Sequence, residues 1–178
     1  MKTKQFDNIL QDHKDRVYSY SLYLLKNRED AEDVTQEVFV RFWENQEKVN
    51  RKKVLSWLLT VTHHRCIDLL RQKRASVSRQ RMTCLMEVDH LAANTDCCWN
   101  PEKHLEDSET REKLINAMDK LPDKTRSILL LHYYQGFKYE DISKMLDSKV
   151  STVKVAVHRG KRILKDALTQ SFPERTVI

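Results

Sequence analysis

The stretch YEDISKMLDSKVSTVKVAVHRGKRIL, residues 139–164, decides how the C-terminal half folds. Ile142, Met145 and Leu146 recur at helical spacing, Asp147 to Lys149 interrupt them with polar residues, and Val153, Ala156, Val157 and Leu164 resume the spacing on a basic segment. A short helix, a polar turn and a second helix make a helix-turn-helix. Packing the apolar sets on each other leaves Ser151, Lys154, Val155, His158, Arg159 and Arg162 outward, and short hydroxylated and basic side chains suit phosphate and base-edge contacts in a major groove. Any basic helical hairpin satisfies the same spacing, and Asp147 stands where a small turn residue is common. A second, independent signal is therefore required.

Working outward, helical spacing begins at Leu114, Ala117, Met118 and Leu121, is punctuated by Pro122, and continues from Ile128 to Tyr134 before Gly136, a helix stop. Residues 76 to about 108 lose the periodicity and collect Ser, Thr, Asn, Asp and Pro101, which is linker chemistry. Before them, apolar residues keep helical spacing through Phe6 to Leu25, Ala31 to Trp43 and Leu55 to Leu70, predicting a domain of three or four helices. The expected organisation is an N-terminal domain over 1–75, a flexible linker over 76–108, a second domain over 109–170 and a tail over 171–178. The fold class is all-α: the 178 residues include only two glycines and three prolines, too few for a set of glycine-turned hairpins, while 33% are charged and 40% hydrophobic.

Charge is distributed in blocks. The net charge of +6 points to a polyanionic partner. Glu29 to Glu37 is strongly acidic, whereas Arg71 to Arg81 carries five basic residues and no acidic one, so two faces of opposite sign serve two partners, unless both are simply solvated helix faces. Ala31, Val34, Val38 and Phe42 fall on one side of the acidic helix and Asp30, Asp33 and Glu37 on another, which leaves an acidic face free to meet a partner. On the next helix, Leu55, Leu58, Leu59, Thr62, Cys66, Leu69 and Leu70 face the core, and Trp57, Val61, His64, Asp68 and Arg71 line the other side. An exposed stripe with a large aromatic and a basic end reads as a binding surface, although Trp57 is equally a candidate for partial burial.

The second signal comes from EDAEDVTQEVF (29–39) followed by WLLTVTHHRCIDLLR (57–71). Together with LPDK at 121–124 and TVK followed by HRG within 152–160, these resemble regions 2.2, 2.3 to 2.4 and 4 of extracytoplasmic-function (ECF) sigma factors, over nearly the whole chain apart from the linker. The resemblance implies that Asp30, Glu32, Asp33, Gln36 and Glu37 dock on the clamp helices of core RNA polymerase. Clustered carboxylates suit that task through charge-assisted hydrogen bonds to basic side chains. It also assigns the 57–74 helix and the preceding loop, 45–54, to the −10 element and strand opening. Capturing an extruded base needs a planar surface and holding a single strand needs cations, types supplied by Trp57, His64, Arg51, Lys52, Lys53, Arg65, Arg71, Lys73 and Arg74. Thr152 joins Ser151, Lys154, Val155, His158, Arg159 and Arg162 in the helix expected to read the −35 duplex. His64 stands where the family usually has Asn, and the loop before Trp57 lacks the usual aromatic and glycine, which bears on the −10 preference. An anti-sigma factor is a further implied partner.

The chain is not expected to be an enzyme or to need a cofactor: no Gly-rich phosphate loop, nucleophile elbow or HExxH occurs. Cys84, His90, Cys97, Cys98 and His104 invite a zinc or thiol-sensor reading, but adjacent Cys97 and Cys98 are poorly placed to share one tetrahedral ion, so no metal site is assigned. With no run of about 20 apolar residues and no apolar core in the opening MKTKQFD, the protein is expected in the cytoplasm, with its cysteines as thiols. The rival reading is a helix-turn-helix regulator that acts without binding core polymerase, which explains 110–170 and leaves the two N-terminal motifs unexplained.

Overall fold

The computed structural model describes residues 2–83 and 108–171, and the described residues are helical, with no strand among them. The chain divides into two compact units, 1–97 and 98–178. Cys84, Cys97, Cys98, His90 and His104 lie outside the described residues.

The first unit packs α1 (Lys2–Leu25), α2 (Arg28–Asn45) and α3 (Val54–Thr83), with a 3-10 turn at Arg51–Lys53 leading into α3. Local chemistry fixes the corner between α1 and α2. Lys26 adopts a left-handed φ of 54° and its N–H returns to the Leu22 carbonyl at 2.8 Å, closing α1. The Asn27 side chain then accepts from the Asp30 N–H at 2.9 Å, capping α2, whose first turn carries Glu29 and Asp30 at the positive end of the helix dipole. Val17, Tyr20 and Leu24, Ala31, Val34, Val38 and Phe42, and Leu58, Leu59 and Cys66 form the core. The buried hydroxyls turn back on their own helices, Thr62 donating to the Leu58 carbonyl at 2.7 Å and Ser21 to that of Val17 at 3.0 Å. Burial pushes the Cys66 thiol up to about 12, against a smaller opposing effect of a hydrogen bond with Ser21, so it is an inert, protonated core residue at neutral pH. α3 runs to Thr83, eight residues into the stretch expected to be linker. Residues 76–83 contain no Gly or Pro, so nothing in their backbone chemistry stops the helix at residue 76.

The second unit contains α4 (Ser108–Asp119), α5 (Asp123–Leu129) continuing as a π-helix over Leu130–Tyr134, α6 (Tyr139–Met145) and α7 (Val150–Ser171). Ala117, Leu121, Ile128, Leu131, Ile142, Met145, Val153 and Val157 are buried, while Leu146, Ala156 and Leu164 are half-buried. Gly160 lets α7 lie against α5: a Cβ there would stand 2.6 Å from Leu129 Cδ1 and 3.0 Å from Thr125 Cγ2. Gly136, at φ 77°, ends the helix as expected. In the turn between α6 and α7, Ser148 N–H reaches the Ser143 carbonyl at 2.9 Å and Asp147 is held at φ 44°. A Cβ is disfavoured there, so Asp147→Gly is expected to raise stability by about 0.5 to 1 kcal/mol. A higher denaturant midpoint at unchanged m-value is the result that checks it.

Candidate nucleic-acid interface

α7 carries the outward set as the spacing requires. Ser151, Thr152, Lys154, Val155, His158, Arg159 and Arg162 are all exposed, whereas Val153, Val157 and Gly160 are buried on the opposite side. Three cations flank an apolar residue and short hydroxyls on one helix. That surface can meet phosphates at its edges and base edges at its centre.

The first unit places two charged surfaces side by side. α2 and α3 run antiparallel, so Asp30 faces Lys73 and Glu37 faces Arg65. Asp30 and Lys73 are ion-paired; Arg65 Nε donates to Glu37 Oε2 at 2.5 Å, and Arg41 Nη2 approaches Glu37 Oε1 at 2.6 Å. The expected free acidic face is thus divided. Glu32, Asp33 and Gln36 are exposed, with Glu32 paired along its own helix to Arg28 at 2.8 Å, while Asp30 and Glu37 are half-buried and turned to α3. Spacing placed the carboxylates together on α2, but α3 lies against one edge of that stripe.

The basic turn before α3 is held at both ends. The Asn50 side chain accepts from the Lys52 N–H at 3.0 Å, and Arg51 Nη2 donates to Gln5 Oε1 of α1 at 3.1 Å, leaving Lys52 and Lys53 exposed. Trp57 combines its two readings: it is half-buried, its ring 5.8 Å from Phe42, which in turn stacks on Phe6 at 6.2 Å. His64, Arg71 and Arg74 are exposed along α3, and Asp68 lies 3.6 Å from Arg71. Next to His64, His63 meets the buried Tyr20 hydroxyl through Nδ1 at 3.1 Å, so only one of the two adjacent histidines is turned fully outward.

Residues 9–76 match the model of sigma-70 region 2 and residues 111–164 that of sigma-70 region 4. The chain is 33% identical over 170 residues to ECF RNA polymerase sigma factor SigE of Mycolicibacterium smegmatis, covering 95% of this chain and 63% of that protein. It is 30% identical over 164 residues to ECF RNA polymerase sigma factor SigK of Mycobacterium tuberculosis, covering 90% of this chain and 84% of that one. The chain belongs to the ECF sigma factor family. Solved structures share the fold: the sigma factor RpoE in complex with the anti-sigma factor NepR from Bartonella quintana (TM-score 0.70, 20% identity, 93% of this chain and 98% of that one) and CnrH in complex with the cytosolic domain of CnrY (TM-score 0.64, 16% identity, 94% and 90%). This sigma factor spans less than two thirds of the SigE relative, at 63% of its length.

The region 2 match covers the N-terminal half that a plain helix-turn-helix regulator leaves unexplained. In this sigma factor no helix among the described residues is long and apolar enough to cross a membrane, and no group of three His, Cys, Asp or Glu among them is placed to hold a metal. Two features were not singled out from the sequence. Val40 and Trp43 are 58% and 42% exposed, and their spacing from Asp33 and Gln36 puts them on the same outward stripe of α2. Arg126, in contrast to the other arginines named above, is buried.

Proposed function

We propose that this sigma factor binds core RNA polymerase through Asp30, Glu32, Asp33, Gln36 and Glu37 of α2, engages and opens the −10 region with the Arg51–Lys53 turn and α3, and reads the −35 duplex with α7. The observation that carries the proposal is the order of surfaces on one chain: an acidic stripe on α2, a basic turn and helix with a half-exposed tryptophan beside it, and a basic groove-sized helix in a separate unit. On this reading 1–75 and 109–170 act as the two binding domains and 76–108 as their connection, with 171–178 a tail. The protein works in the cytoplasm, supplies no catalytic group, and leaves phosphodiester chemistry to the polymerase. The two solved neighbours are held by an anti-sigma factor and by a cytosolic domain of CnrY, which supports an inhibitory protein partner here as well.

Transcription by core enzyme with and without the protein, on a genomic fragment library, tests the proposal and reveals the promoter. Co-purification with core polymerase separates it from a regulator that binds DNA alone. Within α7, Arg159→Ala or Lys154→Ala is expected to weaken −35 binding across sequences and reduce the salt slope by about 0.9 for each phosphate no longer neutralised. A base-reading residue instead costs about 1–3 kcal/mol and relaxes preference at one position. If neither substitution changes −35-dependent transcription, the assigned face is wrong.

A further inference from the structure

Two ion pairs join surfaces that the proposed function gives to different partners. Asp30 and Glu37 belong to the α2 set assigned to polymerase; Lys73 and Arg65 belong to the α3 set assigned to the −10 strand. The pairs sit seven residues apart on α2 and eight apart on α3, two rungs between antiparallel helices. Both carboxylate oxygens of Glu37 are occupied, one by Arg65 and the other by Arg41. All four side chains of the two rungs remain partly exposed, so the pairs are reachable from solvent. Partly exposed pairs of this kind are worth only about 0–1 kcal/mol each. A competing cation can therefore replace Arg65 or Lys73 at small cost.

We infer that these two rungs couple the surfaces: in the free protein Asp30 and Glu37 hold Lys73 and Arg65 against α2 and partly neutralise the DNA-facing side of α3. When a partner with basic side chains docks on α2, its cations take over the two carboxylates, and Arg65 and Lys73 are released to meet the phosphates of single-stranded DNA. No charge is left unpaired in either state, because the partner's cation replaces the protein's own on the carboxylate while phosphate replaces the carboxylate on the protein's cation. The linkage is reciprocal, so bound single strand also strengthens the grip on the basic partner. This rests on the proposed assignment of α2 and α3.

The test uses the full chain and a 20-nucleotide oligo(dT) as the probe, titrated by fluorescence anisotropy over a range of salt. Asp30→Asn with Glu37→Gln keeps the shape of both side chains and removes both charges. It is expected to tighten oligo(dT) binding about fivefold at low salt and steepen the salt slope by about one to two, near 0.7 for each cation released. Glu29→Gln with Glu44→Gln makes the same change in net charge without touching either rung, and should tighten binding less than about twofold at the same salt. Equal tightening by the two double variants, or none by the first, overturns the inference, since the effect is then only net charge or absent. Should the first variant fail to fold, Arg65→Ala with Lys73→Ala serves instead. Held on α2, these two cations should contribute under about twofold to oligo(dT) binding by the free chain, yet several-fold to open-complex formation by the holoenzyme. Equal losses in both settings also overturn the coupling. The assignment of α3 is tested separately by Arg71→Ala with Arg74→Ala, since unchanged binding of oligo(dT) and unchanged open-complex yield would remove α3 from the DNA interface and the coupling with it.

Discussion

Replacing Arg126 with methionine is expected to destabilise the second unit by about 3 kcal/mol or more. Arg126 is only 6% exposed, and its guanidinium donates from Nε to the Met118 carbonyl at 3.0 Å and from Nη2 to the carbonyls of Asp119 and Leu121 at 3.0 and 3.1 Å. Those acceptors are the last carbonyls of α4 and the turn after it, where the helical ladder ends; that of Met118 also accepts from the Leu121 N–H at 3.1 Å. The Asp123 carboxylate stands 3.8 Å from Nη1 and balances part of the charge. Methionine fills the channel of the arginine stem but withdraws the guanidinium donors from these carbonyls, two of them in buried bonds, the costly half of breaking a hydrogen bond. Lysine keeps the charge but not the planar fork, so Arg126→Lys should recover only part of the loss. Denaturant unfolding of the full chain, with amide hydrogen exchange followed in α4 and α5, measures the effect. A loss below about 1 kcal/mol would mean that water replaces the guanidinium at no great cost and that the arginine is not the clasp of this turn.

Phe42→Ala is expected to cost the first unit about 3–5 kcal/mol, the range for emptying an aromatic site in a packed core. Phe42 is 2% exposed and lies between α1 and α3, stacked on Phe6 at 6.2 Å and tilted against Trp57 at 5.8 Å. The cavity would open beneath Trp57, the residue proposed to meet an unstacked base, next to the turn that carries Arg51, Lys52 and Lys53. Exchange protection in α1 to α3 should fall with that in α5 to α7 retained, and Trp57 fluorescence should shift toward that of a solvated indole. Phe42→Leu, which keeps most of the volume, should cost less than about 1.5 kcal/mol. If Phe42→Ala lowers protection equally in both units, their separate stability is refuted.

The helices and their inward faces were legible because they depend on spacing along one segment. Val153 and Val157 are buried and Lys154, His158 and Arg159 exposed on α7 by the geometry of 3.6 residues per turn, whatever lies beside them. The same holds for Val34, Val38 and Phe42 on α2 and for Leu58, Leu59 and Cys66 on α3. The order of an acidic helix, a tryptophan helix with basic residues and a helix-turn-helix was likewise a property of the chain, and it carried the family. Apolar rhythm fades at residue 76 while the helical backbone of α3 runs on to Thr83, since loss of spacing does not by itself stop a helix.

Sequence by itself thus determined the all-helical fold, the two-unit pattern and which side of each helix is apolar, since these follow from local backbone geometry and the cost of exposing apolar surface. Only the tertiary structure decided what each polar side chain faces. That Asp30 and Glu37 meet Lys73 and Arg65 depends on α3 lying antiparallel at one edge of α2. That Arg126 is a buried clasp depends on the end of α4 folding back over α5, and that Trp57 is half covered depends on Phe42 arriving from another helix. Partners of this kind stand 5 to 43 residues apart in the chain, and a charge or a ring is satisfied by what is near it in space, which spacing within one helix does not specify.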